Sequence, residues 1–208
     1  MITLYHLDQS RSERIIWILE ELGIDYRLEV FLRQPDLYGP AALKEAHGLG
    51  RAPVIRDGDV LLAESGAIVE YLIARHGQGR LGVAPDAGNF AAYLYWLHYA
   101  EGSLMLQLLR EWSLDRMLPE ADSHPGMARM RNGTATHLRL VEARLQASPY
   151  LAGGDFTAAD IMMAYPFTTF QRICPVDLAP YPAIRAYVAR LEARPAFQTA
   201  TRAAGTPP

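Results

Sequence analysis

Three hydroxyl side chains lie close together near the N-terminus, in the stretch Tyr5–Ser12 (YHLDQSRS). The stretch joins a short apolar run to a segment with helical periodicity, so Ser10 and Ser12 precede a predicted helix. The start of a helix attracts anions, and a hydroxyl group there can donate a hydrogen bond to one. The alternative is that the serines cap the helix or lie in the loop, and that Tyr5 is a core or interface aromatic.

A second candidate site precedes another predicted helix, in the sequence AESGAI. If the helix begins at Ser65, the first backbone N–H groups and the helix dipole favour a bound carboxylate. Glu64 beside them could pair with an ammonium group. The alternative is that Ser65 only caps the helix, since serine is a preferred capping residue.

The elements that must position these groups follow from periodicity and turn residues. The first part of the chain predicts the order β-α-β-α-β-β-α, with Asp57-Gly58 as the two-residue turn of the hairpin. The predicted segments are a strand at 2–6, a helix ending at Gly23, a strand at 26–32, a helix at 41–46, a hairpin at 54–62 and a helix from Ser65 to Gly77.

The rest of the chain predicts helices. A stretch rich in Gly and Pro predicts a linker, which divides the chain into a domain at 1–78, a linker at 79–88 and a domain at 89–208. Within the second domain, Thr157 and Asp160 have the spacing of a capping box at a helix start.

Composition excludes several classes of function. The formal net charge is −3 and like charges are not clustered, which disfavours nucleic acid and anionic membranes as partners. No apolar run approaches the roughly 18 residues of a membrane span. A single cysteine, Cys174, permits no internal disulfide and suits a reducing compartment, so we expect a cytoplasmic protein. The six histidines show no paired ligand spacing, so we expect no metal.

Four motifs in order resemble the soluble, cytosolic glutathione transferases: SRSERIIWILEELG, GLGRAPVI, LAESGAIVEYL and YLAGGDFTAADI. The sequence around YHLDQSRS and YWLHYAEGSLM is most similar to a bacterial and fungal group of that family. The resemblance covers essentially the whole chain. It implies a thioredoxin-like α/β domain followed by an all-α domain, a homodimer, and glutathione as co-substrate.

The resemblance also implies a role for each glutathione contact. Glu64 and Ser65 match the pair that holds the γ-glutamyl group. Pro53 matches a cis-proline, which would present the main chain of Ala52 to the cysteinyl backbone. Arg51 matches a position that is commonly basic and would suit the glycine carboxylate, although it could also be a solvated arginine. His47 is a weaker candidate.

The glutathione thiol needs a hydrogen-bond donor. A thiol of pKa about 8.5 is only about 3% ionised at pH 7, and lowering the pKa by two units takes roughly 2.7 kcal/mol. A hydrogen bond to a charged group supplies about 1.5–3 kcal/mol, so one hydroxyl suffices. The spacing Ser10-x-x-x-Arg14 matches the serine-type classes and favours Ser10. Tyr5 is the rival, and Ser12 a distant third.

The resemblance places the electrophile pocket between the domains, and Tyr93, Trp96, Tyr99 and Leu104 on one predicted helix are candidates for its apolar lining, although such stripes are more often core. DQSRS lacks the cysteine of the cysteine-type classes, which disfavours disulfide reduction by a protein thiol. The sequence therefore predicts a glutathione transferase acting on a small apolar electrophile or a hydroperoxide. The alternative is a non-catalytic binding or regulatory module with the same fold.

Overall fold

The computed structural model describes residues 1–118 and 120–205 of the chain. Two compact units are present: Met1–Pro85 together with the residues from Leu191 onward, and Asp86–Arg190. The break after Pro85 falls inside the predicted linker. The C-terminal residues, which the sequence assigned to the helical domain, cluster instead with the first unit because the last helix packs on the first.

The first unit contains a four-stranded sheet in the order β2-β1-β3-β4. β1 is parallel to β2 and antiparallel to β3, and β3 is antiparallel to β4. This mixed sheet confirms the predicted element order and the thioredoxin-like α/β arrangement. The elements are β1 Ile2–Leu7, α1 Glu13–Leu22, β2 Tyr26–Phe31, α2 Leu43–Ala46, β3 Val54–Asp57, β4 Val60–Ala63, α3 Ser65–Arg75 and α10 Pro195–Ala203.

The predicted hairpin is present, but its turn is displaced by one residue. Asp57 pairs with Val60, so the two-residue loop is Gly58-Asp59 and not Asp57-Gly58. Gly58 has φ of 57°, a left-handed conformation that glycine adopts without steric cost. The prediction was wrong in register because Asp57 stays in the strand, where its carboxylate accepts hydrogen bonds from Tyr71 and His76.

α1 is buried along most of its length and ends where the sequence predicts. Its apolar residues include Ile15, Ile18 and Leu19, which are fully buried. Gly23 follows the helix in a left-handed conformation, and its N–H donates to the carbonyl of Glu20. Such a C-terminal glycine ends helices without the strain that other residues would incur there.

The last helix ties the C-terminal end of the chain to α1. The Arg194 guanidinium donates to both carboxylate oxygens of Glu21, at 2.6 and 2.8 Å. The Trp17 and Phe197 rings meet edge to face with centroids 5.0 Å apart. A bidentate ion pair and an aromatic contact therefore make α10 part of the first unit.

The second unit consists of helices and their connections in the part of the chain that the structure describes, which agrees with the predicted all-α domain. Its elements are α4 Phe90–Tyr99, a π-helical segment Ala100–Met105, α5 Leu106–Met117, a short 3₁₀ turn Ala121–Ser123, α6 Pro125–Ala147, α7 Ala158–Phe167, α8 Thr169–Ile173 and α9 Pro182–Glu192. Within residues 1–118 and 120–205, no helix combines the length and the apolar character that crossing a membrane requires.

The capping box at the start of α7 is present as predicted. The Asp160 carboxylate accepts from the Thr157 backbone N–H at 2.8 Å, and the Thr157 side chain is bonded in return to the backbone of the first helical turn. The same buried carboxylate accepts from the backbone of Leu151 and the hydroxyl of Tyr187, both at 3.0 Å. Burial raises the pKa of Asp160 despite these donors.

Candidate functional site

The sheet brings three segments together at one end. β1 ends there at Leu7, the antiparallel β3 begins there at Val54, and β4 ends there at Ala63. The segments that continue from these points are the β1–α1 loop with Ser10, the stretch Arg51–Pro53, and the start of α3. Ala52 packs against the side chains of Leu7 and α2 at this end. Both candidate sites of the sequence therefore share one edge of the sheet.

The β1–α1 loop is held in place by Arg33, which follows β2. Its guanidinium donates to the backbone carbonyls of Asp8, Gln9 and Leu37, at 3.1, 3.0 and 2.5 Å. The Arg33 backbone N–H also donates to the Asp8 carboxylate. Gln9 has a positive φ of 50°, which these bonds help to maintain. Sequence analysis missed this anchor, because no periodicity links residues so far apart.

Ser10 is almost completely buried, with 4% of its surface exposed. Its Oγ lies 2.6 Å from the Ser12 Oγ and accepts from the Ser12 backbone N–H at 3.2 Å. Ser12 occupies the N-cap position of α1 without a side-chain capping bond, whereas Ser10 accepts a bond from the backbone within the loop. A role for Ser10 beyond shaping this loop stays a prediction.

His6 and Ser12 form the buried continuation of this contact. Both are fully buried, and the His6 Nδ1 lies 2.8 Å from the Ser12 Oγ. On the other side of the ring, Nε2 lies 3.3 Å from the backbone oxygen of Ala204, at the end of α10. Burial lowers the pKa of His6, opposed by the Ala204 carbonyl and the charge of Asp8. The ring is therefore neutral near pH 7.

The predicted site residues did not include His6, although the sequence carried a signal for it. Strand alternation puts His6 on the same face of β1 as Ile2 and Leu4, and all three are buried. A buried histidine needs hydrogen-bond partners, so this pattern alone called for polar groups beneath the strand. What the pattern does not identify is the partner from the far end of the chain.

Tyr5 lies on the opposite face of β1. Its ring packs near Phe31, with centroids 6.5 Å apart, and its hydroxyl accepts from the Arg56 Nε at 3.4 Å. Arg56 pairs with Thr3 in the sheet, so the Tyr5 hydroxyl is directed toward the beginning of the strand. Ser10 lies beyond the other end of the same strand. The geometry thus separates the two candidate thiol donors and disfavours Tyr5.

The segment before β3 has the backbone form that the resemblance implied. The peptide bond between Ala52 and Pro53 is cis, and Pro53 is buried. Arg51 is exposed, and within residues 1–118 and 120–205 its side chain makes no hydrogen bond or ion pair. The cation is therefore available to an external anion. His47 is partly buried, and its side chain makes no hydrogen bond, ion pair or ring contact with the described residues.

At the start of α3, the side chains of Glu64 and Ser65 likewise make no hydrogen bond or ion pair with the described residues. Glu64 is exposed and has φ of 73°, a strained conformation that residues other than glycine seldom adopt. Ser65 is the first residue of the helix and is buried, yet its hydroxyl has no hydrogen bond among the described residues. The N-cap position belongs to Glu64, without a side-chain bond, so Ser65 is not a simple cap.

The candidate pocket residues lie in the second unit. Tyr93, Trp96, Tyr99 and Leu104 are all buried within it, which fits the core interpretation of this stripe. Burial raises the pKa of the Tyr99 hydroxyl, which is bonded to the His137 Nδ1 at 2.5 Å. An apolar electrophile site that includes these residues stays a prediction.

Family models match both parts of the chain. The model for the N-terminal domain of glutathione S-transferases matches residues 4–80, and the model for the C-terminal domain of the same family matches residues 125–190. The two matched ranges cover the α/β unit around the candidate site and most of the helical unit.

Individual relatives extend these matches over almost the full length. Glutathione S-transferase 3 of Schizosaccharomyces pombe is 32% identical, over 96% of this chain and 86% of that protein. The disulfide-bond oxidoreductase YfcG of Escherichia coli is 30% identical, over 94% of this chain and 90% of that one. A crystal structure of a glutathione S-transferase from Actinobacillus pleuropneumoniae, 31% identical, covers 99% of this chain and 94% of its own, with a TM-score of 0.88. From motif order, fold and these matches together, the chain belongs to the glutathione S-transferase family of enzymes.

Proposed function

We propose that the chain binds glutathione at this edge of the sheet and stabilises its thiolate with Ser10. The observation that carries the proposal is that Arg51, Glu64 and Ser65, which converge on this edge, make no side-chain bonds within the described residues. Polar groups at a convergent edge without internal partners are suited to an external ligand. Family membership makes that ligand glutathione.

Each group has a distinct role in this proposal. The first N–H groups of α3 and the Ser65 hydroxyl bind the carboxylate of the γ-glutamyl group, while Glu64 pairs with its ammonium. The main chain of Ala52, shaped by Pro53, bonds to the cysteinyl backbone as an added strand would. Arg51 binds the glycine carboxylate.

Ser10 is the proposed donor to sulfur. It lies in the loop that precedes α1, where the helix dipole adds about 0.3–1 kcal/mol in favour of an anion. A hydrogen bond to the thiolate contributes about 1.5–3 kcal/mol, enough to lower the thiol pKa by one to two units. Tyr5 is the weaker candidate because its hydroxyl is directed toward Arg56, at the other end of β1.

The proposed reaction is transfer of the thiolate to a small apolar electrophile, with reduction of hydroperoxides as a second use of the same thiolate. We place this reaction in the cytoplasm, in a homodimer, with detoxification as its purpose. The apolar character of the electrophile is inferred from the family, because the aromatic residues Tyr93, Trp96 and Tyr99 are buried in the second unit.

Disulfide reduction through a protein thiol is the less favoured activity, although one relative is named for disulfide chemistry. Burial raises the pKa of Cys174, the single cysteine, to about 11. A thiol of that pKa is almost entirely protonated near pH 7, so it is a poor nucleophile. Any disulfide exchange would have to use the thiol of glutathione.

The test is a pH titration of thiolate absorbance for glutathione bound to wild type, Ser10→Ala and Tyr5→Phe, with binding measured by calorimetry. We expect a thiol pKa well below about 8.5 in wild type and in Tyr5→Phe, and a raised value in Ser10→Ala. A rise only in Tyr5→Phe would transfer the role to Tyr5. Binding without a lowered pKa in any variant would favour the non-catalytic module.

A further inference from the structure

Ser10 is the outer end of a buried chain of polar contacts that runs through Ser12 and His6 to the carbonyl of Ala204. Its three contacts measure 2.6, 2.8 and 3.3 Å. Ser12 and His6 are fully buried and Ser10 nearly so. Each hydroxyl carries one proton, which fixes the direction of the bonds.

The direction is set from the Ala204 end. A backbone carbonyl only accepts, so the His6 Nε2 carries a proton and, in the neutral ring, Nδ1 is an acceptor. Ser12 must then donate to Nδ1, because otherwise two lone pairs would face each other at 2.8 Å. Ser12 has no second proton, so the proton in the 2.6 Å contact comes from Ser10. In the resting state, Ser10 donates inward.

An alternative acceptor for the Ser12 proton does not change this direction. The backbone oxygen of Leu7 lies 3.2 Å from the Ser12 Oγ, and the Leu7 N–H donates to the same Oγ. If Ser12 donated to that oxygen, no proton would lie between the Ser12 Oγ and the unprotonated His6 Nδ1, which are only 2.8 Å apart. The Leu7 oxygen becomes a favourable acceptor only when His6 Nδ1 is itself a donor.

A Ser10 hydroxyl that donates inward cannot simultaneously donate to a glutathione sulfur. We propose that His6 is the terminal base of a relay through Ser12 and Ser10 that takes the thiol proton of bound glutathione. His6 acts through the two serines and is therefore a positioning residue for the thiolate. This inference rests on the proposed function of the site.

The relay conserves protons and charge. The thiol S–H bond breaks with its electron pair left on sulfur, and the proton goes to the Ser10 oxygen. Ser10 passes its own proton to Ser12, and Ser12 passes its proton to Nδ1 of His6. The products are a thiolate and an imidazolium. The two bonds that link Ser10, Ser12 and His6 are reversed, Ser10 now donates to sulfur, and the His6 Nε2 still donates to the Ala204 carbonyl. No other reactant is needed.

Few charged groups act on His6 in this arrangement. Asp8, in the adjoining loop, favours the imidazolium by its charge. From α1 the ring meets the Ser12 hydroxyl, and from the end of α10 it meets the Ala204 carbonyl. Its register partner on β2 is Val30, which is uncharged, and the cation Arg14 is buried further along α1. The imidazolium can therefore donate to the Ala204 carbonyl from Nε2 and to the Ser12 Oγ from Nδ1, but the second bond requires that Ser12 no longer donates to the ring.

The test is ring-nitrogen NMR of the full chain with ¹⁵N-labelled histidine, with the His6 signals assigned by their loss in His6→Asn. The free protein and its complex with S-methylglutathione, which has no ionisable thiol, are expected to show protonated Nε2 and unprotonated Nδ1. Glutathione itself is expected to protonate Nδ1 as well, in proportion to the thiolate absorbance of the same sample.

A second pair of variants separates a relay from a packing role. Ser12→Ala interrupts the chain, so glutathione should no longer protonate Nδ1 of His6, although Ser10 can still donate its own proton to sulfur. Ser12→Thr keeps a hydroxyl and should restore the protonation of Nδ1. A wild-type complex that contains thiolate but neutral His6 overturns the relay and leaves the proposed function intact. Absence of binding or of thiolate in wild type overturns both.

Discussion

The loop after β1 and the start of α3 lie at the same edge of the sheet, but their polar side chains differ in whether they form hydrogen bonds within the protein. Ser10 and Ser12 are bonded to each other and, through His6, to the last turn of the chain. Glu64 and Ser65 make no side-chain bond within the part of the chain that the structure describes. The side chains of one region are bonded to each other, and those of the other are unbonded among the described residues.

The difference separates two requirements of the proposed reaction. Holding a charged tripeptide needs groups whose hydrogen-bonding capacity is unused before binding, since a group already paired gains little from a new partner. Stabilising a thiolate needs a donor group that is held in position before the ligand binds. The loop after β1, whose hydroxyl groups are held by bonds to each other, meets the second requirement, and the start of α3 meets the first.

The largest expected effect on activity comes from removing the Ser10 hydroxyl, at the outer end of the hydrogen-bonded chain. Ser10→Ala should lower kcat/KM with a chromogenic aryl halide by about 100-fold, because a hydrogen bond to the thiolate is worth about 1.5–3 kcal/mol. Steady-state kinetics should show the loss mainly in kcat at saturating glutathione. A loss confined to KM would instead assign Ser10 to ligand holding, and the contrast between the regions would be gone.

A smaller effect is expected at the free helix start. Ser65→Ala should weaken glutathione binding by about tenfold, the loss of one hydrogen bond to a carboxylate, and leave the thermal midpoint unchanged. Calorimetry measures the first and a melting curve the second. Ser113→Ala is the matched control, since its hydroxyl, in the second unit, also has no bond among the described residues. A destabilised Ser65→Ala would contradict the proposed division.

The hydrogen-bonded chain that includes His6 should also make the free energy of unfolding depend on pH. The pKa of His6 in the folded chain lies below the ordinary histidine value of 6.5, so below that pH the unfolded chain binds a proton that the folded chain does not. Stability is therefore full above pH 6.5 and falls as the pH drops, by at most about 1.4 kcal/mol per unit from this group.

Chemical denaturation of wild type and His6→Asn at several pH values measures this contribution. The variant should be less stable near neutral pH and should lose less of its stability on acidification. His47→Asn, outside the bonded chain, should follow wild type. Parallel curves for wild type and His6→Asn would show that His6 is not kept neutral by the fold.

The smallest effect on glutathione binding is expected from replacing the exposed Arg51. Arg51→Gln should weaken glutathione binding by about threefold, because an exposed ion pair contributes little and is screened by salt. Titrations at low and high ionic strength measure the difference, which should shrink as salt increases. An effect independent of salt would mean that Arg51 acts through shape and not through its charge.

Most of the fold was accessible from the sequence because its signals are local. Helical periodicity, the stop at Gly23 and the capping box at Thr157 each depend on residues within a few positions of one another. The hairpin was displaced by one residue for the opposite reason. The turn chemistry of Asp57-Gly58 is local, but the register depends on bonds from Asp57 to side chains on α3.

The candidate site was accessible only in part. Motif order identified Glu64 and Ser65. Whether their side chains form bonds within the protein, however, depends on which groups surround them after folding. The His6 to Ala204 bond joins residues 198 positions apart, and no sequence pattern relates them. The Arg33 anchor is similar, since its targets lie on two separate loops. Contacts of this kind follow from topology and not from spacing.

The bond between His6 and Ala204 also has a consequence for the order of synthesis. The first strand leaves the ribosome early, but the acceptor for its histidine is made 198 residues later. The same holds for α1, whose contacts with Arg194 and Phe197 form only after the helical unit has been made. Domains generally fold as they emerge. Here the nascent first unit stays incomplete until the helical unit between its two parts has been synthesised.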